Sequence, residues 1–344
     1  MIKTFQGKSI IVGTPKDFDI NKMIIKELRN TGFESVFEIS FNYQKFKYKN
    51  IWQHAKSFYK KNFGNRPHYK QLLRFQQIES NLIQELNEIQ DVDYVLLIRP
   101  DIYSPTFIDA LKKKSKTIVA YQWDGLNRFP AVNDVIQKFD RFFIFDPADL
   151  GVEGVLPLTN FSPISYTAEE LFDSERITDV YFSGSYFPKR AAVLGKILSQ
   201  LNRLGKSIKY RLNAWKPREN KKYNLTTTKE FITFEENLKN SYNAEVVIDL
   251  VFTGHKGLSF RIFEAIRFDK KVITTNQAIL KYDFYDPDNI FIWSSNSKIQ
   301  ELKRFLETPV NPLSDVLKRK YGFENWIKYV LDEGDFIPID LPEN

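Results

Sequence analysis

Short apolar runs alternate along the chain with stretches in which apolar residues recur every three or four positions. KSIIVGT, at 8–14, is a β-branched run that stops at Gly-Thr-Pro, and the helical spacing over 20–30 that follows ends at Thr31-Gly32. SVFEIS (35–40) predicts a second strand, and the spacing over 72–89 predicts a helix. DYVLLIRPD (93–101) is apolar enough for a strand buried on both faces and closes at Pro100. SPTFIDALKKK (104–114) opens a helix with Ser104 as cap and proline in the first turn, and KTIVAYQWD (116–124) predicts another buried strand. A short helix at 133–140 and the strand RFFIFD (141–146) complete this set. Apolar strands alternating with helices predict an α/β fold with a doubly wound parallel sheet.

The period lapses between about 149 and 175, where prolines, glycines and acids gather. A second alternation follows: strands at 178–185, 207–213, 244–251, 271–276 and 289–293, and helices at 188–205, 234–242, 298–306 and 312–330. The predicted architecture is therefore two Rossmann-like domains, residues 1–160 and 176–344, joined by a crossover at 161–175, with the last helix free to pack back on the first domain. A length of 344 residues fits two cores of roughly 150 to 170 residues each.

Composition then removes several chemistries. Thirty Phe, 17 Tyr and 5 Trp provide ample material for two cores, which excludes a disordered chain. No window reaches the roughly 18 to 20 apolar residues of a membrane span, and the amino terminus lacks a signal-peptide pattern, so a cytoplasmic protein is expected. With no cysteine and only three histidines (His54, His68, His255), thiol nucleophiles, disulfides and thiolate metal sites are out, and little is left for histidine-bound zinc. Catalysis must draw on carboxylates, cationic side chains, hydroxyls and backbone amides. The excess of 50 Lys and Arg over 43 Asp and Glu is unevenly spread: between Phe41 and Phe75 there are nine Lys or Arg, ten aromatics and no acid. Such a block either docks on an anionic partner, phospholipid or nucleic acid, or is a solvated helical face whose rings pack inward. No nucleic-acid motif accompanies it, so nucleic acid is not an expected partner.

In doubly wound sheets ligands bind beyond the carboxyl ends of the strands. In the second half those loops contain Ser183, Gly184, Ser185, Asn213, residues 253–257, and Thr275-Asn276. GHKGLSFRIFEAIRFDKKVITTN (254–276) is the most informative. Gly254 and Gly257 allow close backbone approach, and the amides of Gly257, Leu258 and Ser259 at a helix start form a phosphate site. Arg261 can meet a diphosphate bidentately, and Glu264, three residues on, can accept two ribose hydroxyls. The plainer alternative is an ordinary helical ion pair between Arg261 and a surface Glu264.

GLSFRIFEAIRFDKKVITTN resembles the donor-binding helix of GT-B glycosyltransferases, nearest to the CgeB-like and lipopolysaccharide or capsule biosynthesis branch. DVYFSGSYFPKR (179–190) is similar to that group's first strand and loop of the carboxy-terminal domain, and YQWDGLNRFP (121–130) to its aromatic-Asp segment in the amino-terminal domain. The resemblance implies two Rossmann-like domains with parallel sheets facing a central cleft, and transfer of a sugar from a nucleotide sugar to a surface-polysaccharide or lipid-linked glycan acceptor. It implies no cofactor and no bound metal; Asp17/Asp19, Asp91/Asp93 and Asp286/Asp288 match D-x-D by spacing alone. By position, Gly257, Ser259 and Arg261 contact the donor diphosphate, Glu264 the ribose, and Ser183 to Ser185 the phosphates or base, with Lys189 and Arg190 adding charge and His255 in the same donor-binding group. The retaining branch places a second Glu eight residues before the ribose Glu; here that residue is Lys256, which favours inversion and puts a cation beside the leaving phosphates. Inversion requires a general base in the first domain, Asp124 or Asp101. Asp124 is preferred because Tyr121 and Trp123 resemble a sugar-stacking platform that would desolvate it; Arg128 belongs to the same acceptor-binding group. Each has a plainer alternative: Asp124 as a turn cap before Asn127, His255 as a loop residue, Trp123 and Trp215 as core. The expected location is cytoplasmic, peripheral on the inner membrane face through the 41–75 block. The alternatives are a GT-B protein that binds nucleotide sugar without transferring it and, after that, a basic nucleic-acid-binding protein.

Overall fold

The computed structural model describes residues 4–39, 46–63, 69–251 and 255–343; Thr253 and Gly254 of the 253–257 loop, His68, and parts of the basic block at 41–45 and 64–68 fall outside them. The chain forms two compact units, Met1–Leu158 with Ile327–Phe336 and Glu343–Asn344, and Thr159–Trp326 with Ile337–Pro342.

The first unit is a six-stranded, wholly parallel sheet: β1 (Ser9–Gly13), β2 (Ser35–Ile39), β3 (Val92–Ile98), β4 (Ser115–Gln122), β5 (Arg141–Ile144) and β6 (Val155–Pro157), in the order β2-β1-β3-β4-β5-β6. Central strands β3 and β4 are buried on both faces, as their unbroken apolar runs require. Helices α1 (Ile20–Thr31), α2 (Ile51–Asn62), α3 (Tyr69–Gln76), α4 (Glu79–Glu88) and α5 (Pro105–Lys113) connect them. Ser104 caps α5, its hydroxyl accepting from the Phe107 amide at 3.1 Å.

Three elements depart from the pattern. The helix expected over 72–89 is two helices, because the amides of Gln77 and Ile78 bond three residues back, to Arg74 and Phe75, where Phe75 wedges against Tyr103 and Phe107. The segment expected as a short helix at 133–140 is 3-10, over Pro130–Lys138. β6 lies inside the stretch read as patternless: three residues are too few to show alternation, and Pro157 fits only because the strand is at the sheet edge.

In the second unit, α6 (Ala168–Leu171) leads into β7 (Thr178–Ser185), α7 (Pro188–Arg203) and β8 (Ile208–Asn213). A small antiparallel hairpin, β9 (Glu219–Asn220) and β10 (Leu225–Thr226), precedes α8 (Phe234–Tyr242), β11 (Ala244–Asp249), α9 (Phe260–Arg267), β12 (Lys271–Thr274) and β13 (Ile290–Ile292). The five long-range strands are parallel in the order β13-β12-β11-β7-β8, the same winding as the first sheet. Val180, Phe182, Leu194, Leu198, Val246, Ile248 and Ile273 form its core, each fully buried side chain contributing about 1.5 to 3 kcal/mol. After α10 (Ile299–Glu307) the helix expected over 312–330 is split into α11 (Asp315–Lys320) and α12 (Phe323–Leu331). It breaks because Gly322 pairs strand-like with Ser162, the Ser162 amide bonding Tyr321 and the Phe323 amide bonding Ser162. The chain thus builds the two Rossmann-like domains with parallel sheets expected of the GT-B class. Among the described residues no helix is long and apolar enough to cross a membrane.

Candidate functional site

In the second sheet the winding reverses between β7 and β11, and the crevice at their carboxyl ends is where such folds bind ligands. The apolar run of β11 ends there in Asp249, almost fully buried. Its Oδ1 accepts from the Ser259 hydroxyl at 2.7 Å and from Arg261 Nη1 at 3.4 Å, and its Oδ2 from the Thr274 hydroxyl at 3.4 Å. Arg261 also donates from Nη2 to the Ser183 carbonyl, tying α9 to β7. Arg190, in the first turn of α7, donates to the carbonyls of Ser185 at 3.0 Å and Leu250 at 3.4 Å, and so spans the same two strand ends. Burial pushes the Arg190 pKa down to about 10, the like charge of Arg261 adds to the fall, and Asp249 opposes it. Gly184 leaves the room for this: a Cβ there would meet Phe182 at 3.1 Å and Arg190 Nη1 at 3.4 Å.

Arg261 thus bonds the Asp249 carboxylate, and Arg190, held on two carbonyls, lies within the field of both, so two guanidiniums gather near one bonded carboxylate at the start of a helix. Ser259, in extended conformation at the N-cap position, does not cap α9, since its hydroxyl is committed to Asp249. Among the described residues the amides of Gly257, Leu258 and Ser259 donate no hydrogen bond. Their orientation is fixed from behind. Asn276 Nδ2 holds the Lys256 carbonyl at 3.0 Å, and Asn160 Nδ2 holds the Leu258 carbonyl at 2.8 Å. In a trans peptide C=O and N–H point opposite ways, so these bonds turn the Gly257 and Ser259 N–H groups away from the two asparagines. An anion is the ligand such a cradle suits.

Glu264 is 1 % exposed, and among the described residues neither carboxylate oxygen has a hydrogen-bond partner. Burial raises its pKa to about 7 against the opposing pull of Arg261 and the Ser241 hydroxyl. It is therefore not the surface carboxylate of the plainer reading, nor paired with Arg261, which is committed to Asp249 and Ser183. An unpartnered buried carboxylate is costly unless a donor reaches it. Ser183 is buried, Gly184 half-buried and Ser185 exposed; Lys189 and Lys256 are exposed and His255 half-buried. Asp249, Asn160 and Asn276 bring the site together, yet sequence reading gave Asp249 and Asn160 no role. The terminal acid of AEVVIDLV was the available signal for Asp249, whereas nothing marked Asn160, 98 residues from the carbonyl it holds. Trp215, expected in the core, is 71 % exposed on the loop after β8, edge-on to Phe231 at 6.3 Å.

The first unit carries its own cluster beyond β3 and β4. Arg99, in left-handed conformation (φ 61°), chelates Asp101 through Nε at 2.6 Å and Nη2 at 2.8 Å, and reaches Asp124 Oδ2 from Nη1 at 2.8 Å. Arg128 takes the other oxygen of Asp124 at 2.7 Å, and the Arg99 guanidinium lies 3.9 Å from the Phe129 ring centroid. Asp17 is nearby: burial raises its pKa and the Arg99 charge lowers it. Asp124 thus meets two guanidiniums, while Tyr121 is fully buried in β4 and Trp123 half-buried. Nor does Asp124 cap the following turn, because the Leu126 amide bonds Asp149 at 2.8 Å. Of the D-x-D pairs, Asp91/Asp93 and Asp286/Asp288 lie at the amino ends of β3 and β13, away from the ligand ends, and Asp17/Asp19 follows β1.

No family model and no curated protein matches the chain. Among solved structures, MnaA of S. aureus, in complex with UDP, is similar over 97 % of this chain and 99 % of its own at 14 % identity, with a TM-score of 0.50. A putative UDP-N-acetylglucosamine 2-epimerase from Listeria monocytogenes is similar over 98 % of both chains (10 % identity, TM-score 0.46). The catalytic domain of starch synthase IV from Arabidopsis thaliana, bound to ADP and acarbose, is similar over 88 % of this chain and 96 % of that one (8 % identity, TM-score 0.48). At such identities the likeness concerns the fold.

Proposed function

We infer that the chain is a GT-B glycosyltransferase that takes a sugar from a nucleoside diphosphate donor held by the second unit. The observation that carries this reading is the Arg261–Asp249 pair with the Arg190 guanidinium beside it on the Ser185 and Leu250 carbonyls, next to three amides at the start of α9 that donate to no described residue. A diphosphate would accept from those amides and from Arg261, and ribose hydroxyls would donate to Glu264 once binding uncovers its buried carboxylate. The fold is shared with a protein solved with UDP, which makes UDP the first nucleotide to try.

In the reaction, an acceptor hydroxyl attacks the anomeric carbon, the bond from that carbon to the diphosphate oxygen breaks, and a carboxylate takes the hydroxyl proton. Asp124 is assigned as that base, with Trp123 and Arg128 on the acceptor side; Tyr121, fully buried in β4, is not the stacking surface expected of it. The departing charge is met by Arg261, Arg190, Lys256 and the helix amides, so this scheme asks for no metal or other cofactor. Lys256 in place of a carboxylate supports inversion. A surface-polysaccharide or lipid-linked glycan is the proposed acceptor class, and the family branch is the CgeB-like or lipopolysaccharide and capsule group.

One observation favours a second reading, binding without transfer: both oxygens of Asp124 are occupied by arginines. Calorimetric titration with UDP, GDP, CMP and dTDP, followed by donor turnover, separates the two. Binding with turnover supports the transferase, and binding without turnover the second reading; no nucleotide binding would discard both. Asp124→Asn is expected to keep nucleotide affinity and lose transfer by about 100-fold or more; near-normal turnover would remove it as the base.

A further inference from the structure

We propose that helix α2 docks the protein on an anionic phospholipid surface. Ile51, Trp52, Phe58, Tyr59 and Phe63 are 62 to 80 % exposed, five large apolar side chains within thirteen residues. At 3.6 residues per turn, positions 51, 55, 58 and 62 and positions 52, 55, 59 and 63 fall on adjoining rows, so these side chains and Ala55 make one continuous face. The helix is held from the opposite side, where Ser57 is buried and accepts from Tyr48 at 3.3 Å, and Tyr48 packs edge-on against His54. A water-soluble helix ordinarily turns its aromatic face inward; here, among the described side chains of α2, the buried position is a serine and the rings face solvent.

Charge decides the occupant. No Asp or Glu occurs between Glu38 and Glu79, while Lys49 at the start of α2 and Lys56 within it are exposed, and Lys47 and Lys70 are exposed nearby, Lys70 over the Tyr48 ring at 5.7 Å. A second copy of this chain would bring the same cations against one another, which disfavours self-association through this face. Nucleic acid would meet the charge, but Ile51, Ala55 and Phe58 along the middle of the face offer aliphatic and ring surface without the hydrogen-bonding groups that read base edges. A bilayer interface accepts both features at once: rings and Ile51 enter the headgroup region while lysines meet lipid phosphates. Nothing in this inference depends on sugar chemistry, so it stands or falls separately from the transferase reading.

The test is co-sedimentation of the full chain with phosphatidylcholine vesicles, with and without about 30 mol % phosphatidylglycerol. The anionic vesicles are expected to retain at least about tenfold more protein, with retention falling as salt rises. Trp52→Ser/Phe58→Ser and, separately, Lys49→Glu/Lys56→Glu are each expected to lower retention at least about tenfold with unchanged circular dichroism, since all four positions are exposed. Equal retention on neutral vesicles, no retention at all, or variants that bind like the parent would each overturn the proposal. So would a dimer that the Trp52→Ser/Phe58→Ser change dissolves, or a single-stranded oligonucleotide that binds while vesicles do not.

Discussion

Two charged clusters occupy equivalent places, at the carboxyl ends of the central strands in each sheet, yet their balances are opposite. In the first unit, three carboxylates (Asp17, Asp101, Asp124) surround Arg99 with Arg128 at the edge, and the oxygens of Asp101 and Asp124 are all engaged within the protein. In the second, Arg261 pairs with Asp249, Arg190 is held below its ordinary pKa beside them, and among the described residues three amides have no acceptor. The same winding therefore yields one cluster that closes on itself and one that is short of an anion. Position in the fold says where a ligand can bind; the count of charges says which site is waiting for one.

The sharpest way to break this contrast is to remove the central cation of the closed cluster. Arg99→Met takes away the guanidinium that chelates Asp101, 1 % exposed at its side chain, and the charge that opposes burial at Asp17. Breaking a buried pair in this way costs about 3 to 5 kcal/mol. Chemical denaturation should show that loss. A loss under 1 kcal/mol would mean the first cluster is not a closed structural unit.

Glu264 sharpens the other side. Burial holds its folded-state pKa at about 7, above the ordinary 4.5, so between those values the native chain keeps a proton that the unfolded chain releases. The favourable contribution is full below about pH 4.5 and is lost as pH rises through about 7, amounting to about 3 kcal/mol. Glu264→Gln, similar in shape but always neutral, should remove that fall and be more stable than the parent at pH 8. Unfolding curves at pH 5 and pH 8 check it, and parallel pH dependence in the two proteins would show that the carboxylate is not isolated.

How far these sites were legible follows from the range of the interactions. The strand ends at Ser185 and Asp249 could be read because apolar runs stop there, and the start of α9 because glycine and serine precede an amphipathic period. Partner choice could not. The spacing of Arg261 and Glu264 suggests a helical pair, but Asp249, twelve residues before Arg261 in sequence, takes the guanidinium and strands the glutamate. Asn160 was invisible for the same reason, and the broken helices at 77–78 and 321–322 reflect a ring wedge and a backbone pairing that no local period encodes. The donor-binding roles proposed for Gly257, Ser259 and Arg261 began as resemblance, and the geometry adds a reason for each.

The smallest expected change in stability is also the most telling. Arg261→Met removes one of two cations around Asp249, and Arg190, which spans the same strand ends, keeps that carboxylate compensated; the Ser259 and Thr274 hydroxyls still donate to it. Stability should fall by about 1 kcal/mol, far less than for Arg99→Met. Affinity for a nucleoside diphosphate should fall by about 1.5 to 3 kcal/mol, roughly 10- to 100-fold, because a charged donor to the phosphates is gone while the amides of Gly257, Leu258 and Ser259 remain. Calorimetry with UDP on both variants reads the contrast directly: Arg99→Met destabilised with intact nucleotide binding, Arg261→Met stable with weakened binding. If Arg261→Met instead unfolds as readily as Arg99→Met and any folded fraction binds UDP normally, the two clusters are the same kind of structural network, and the charge surplus at α9 has no ligand to answer it.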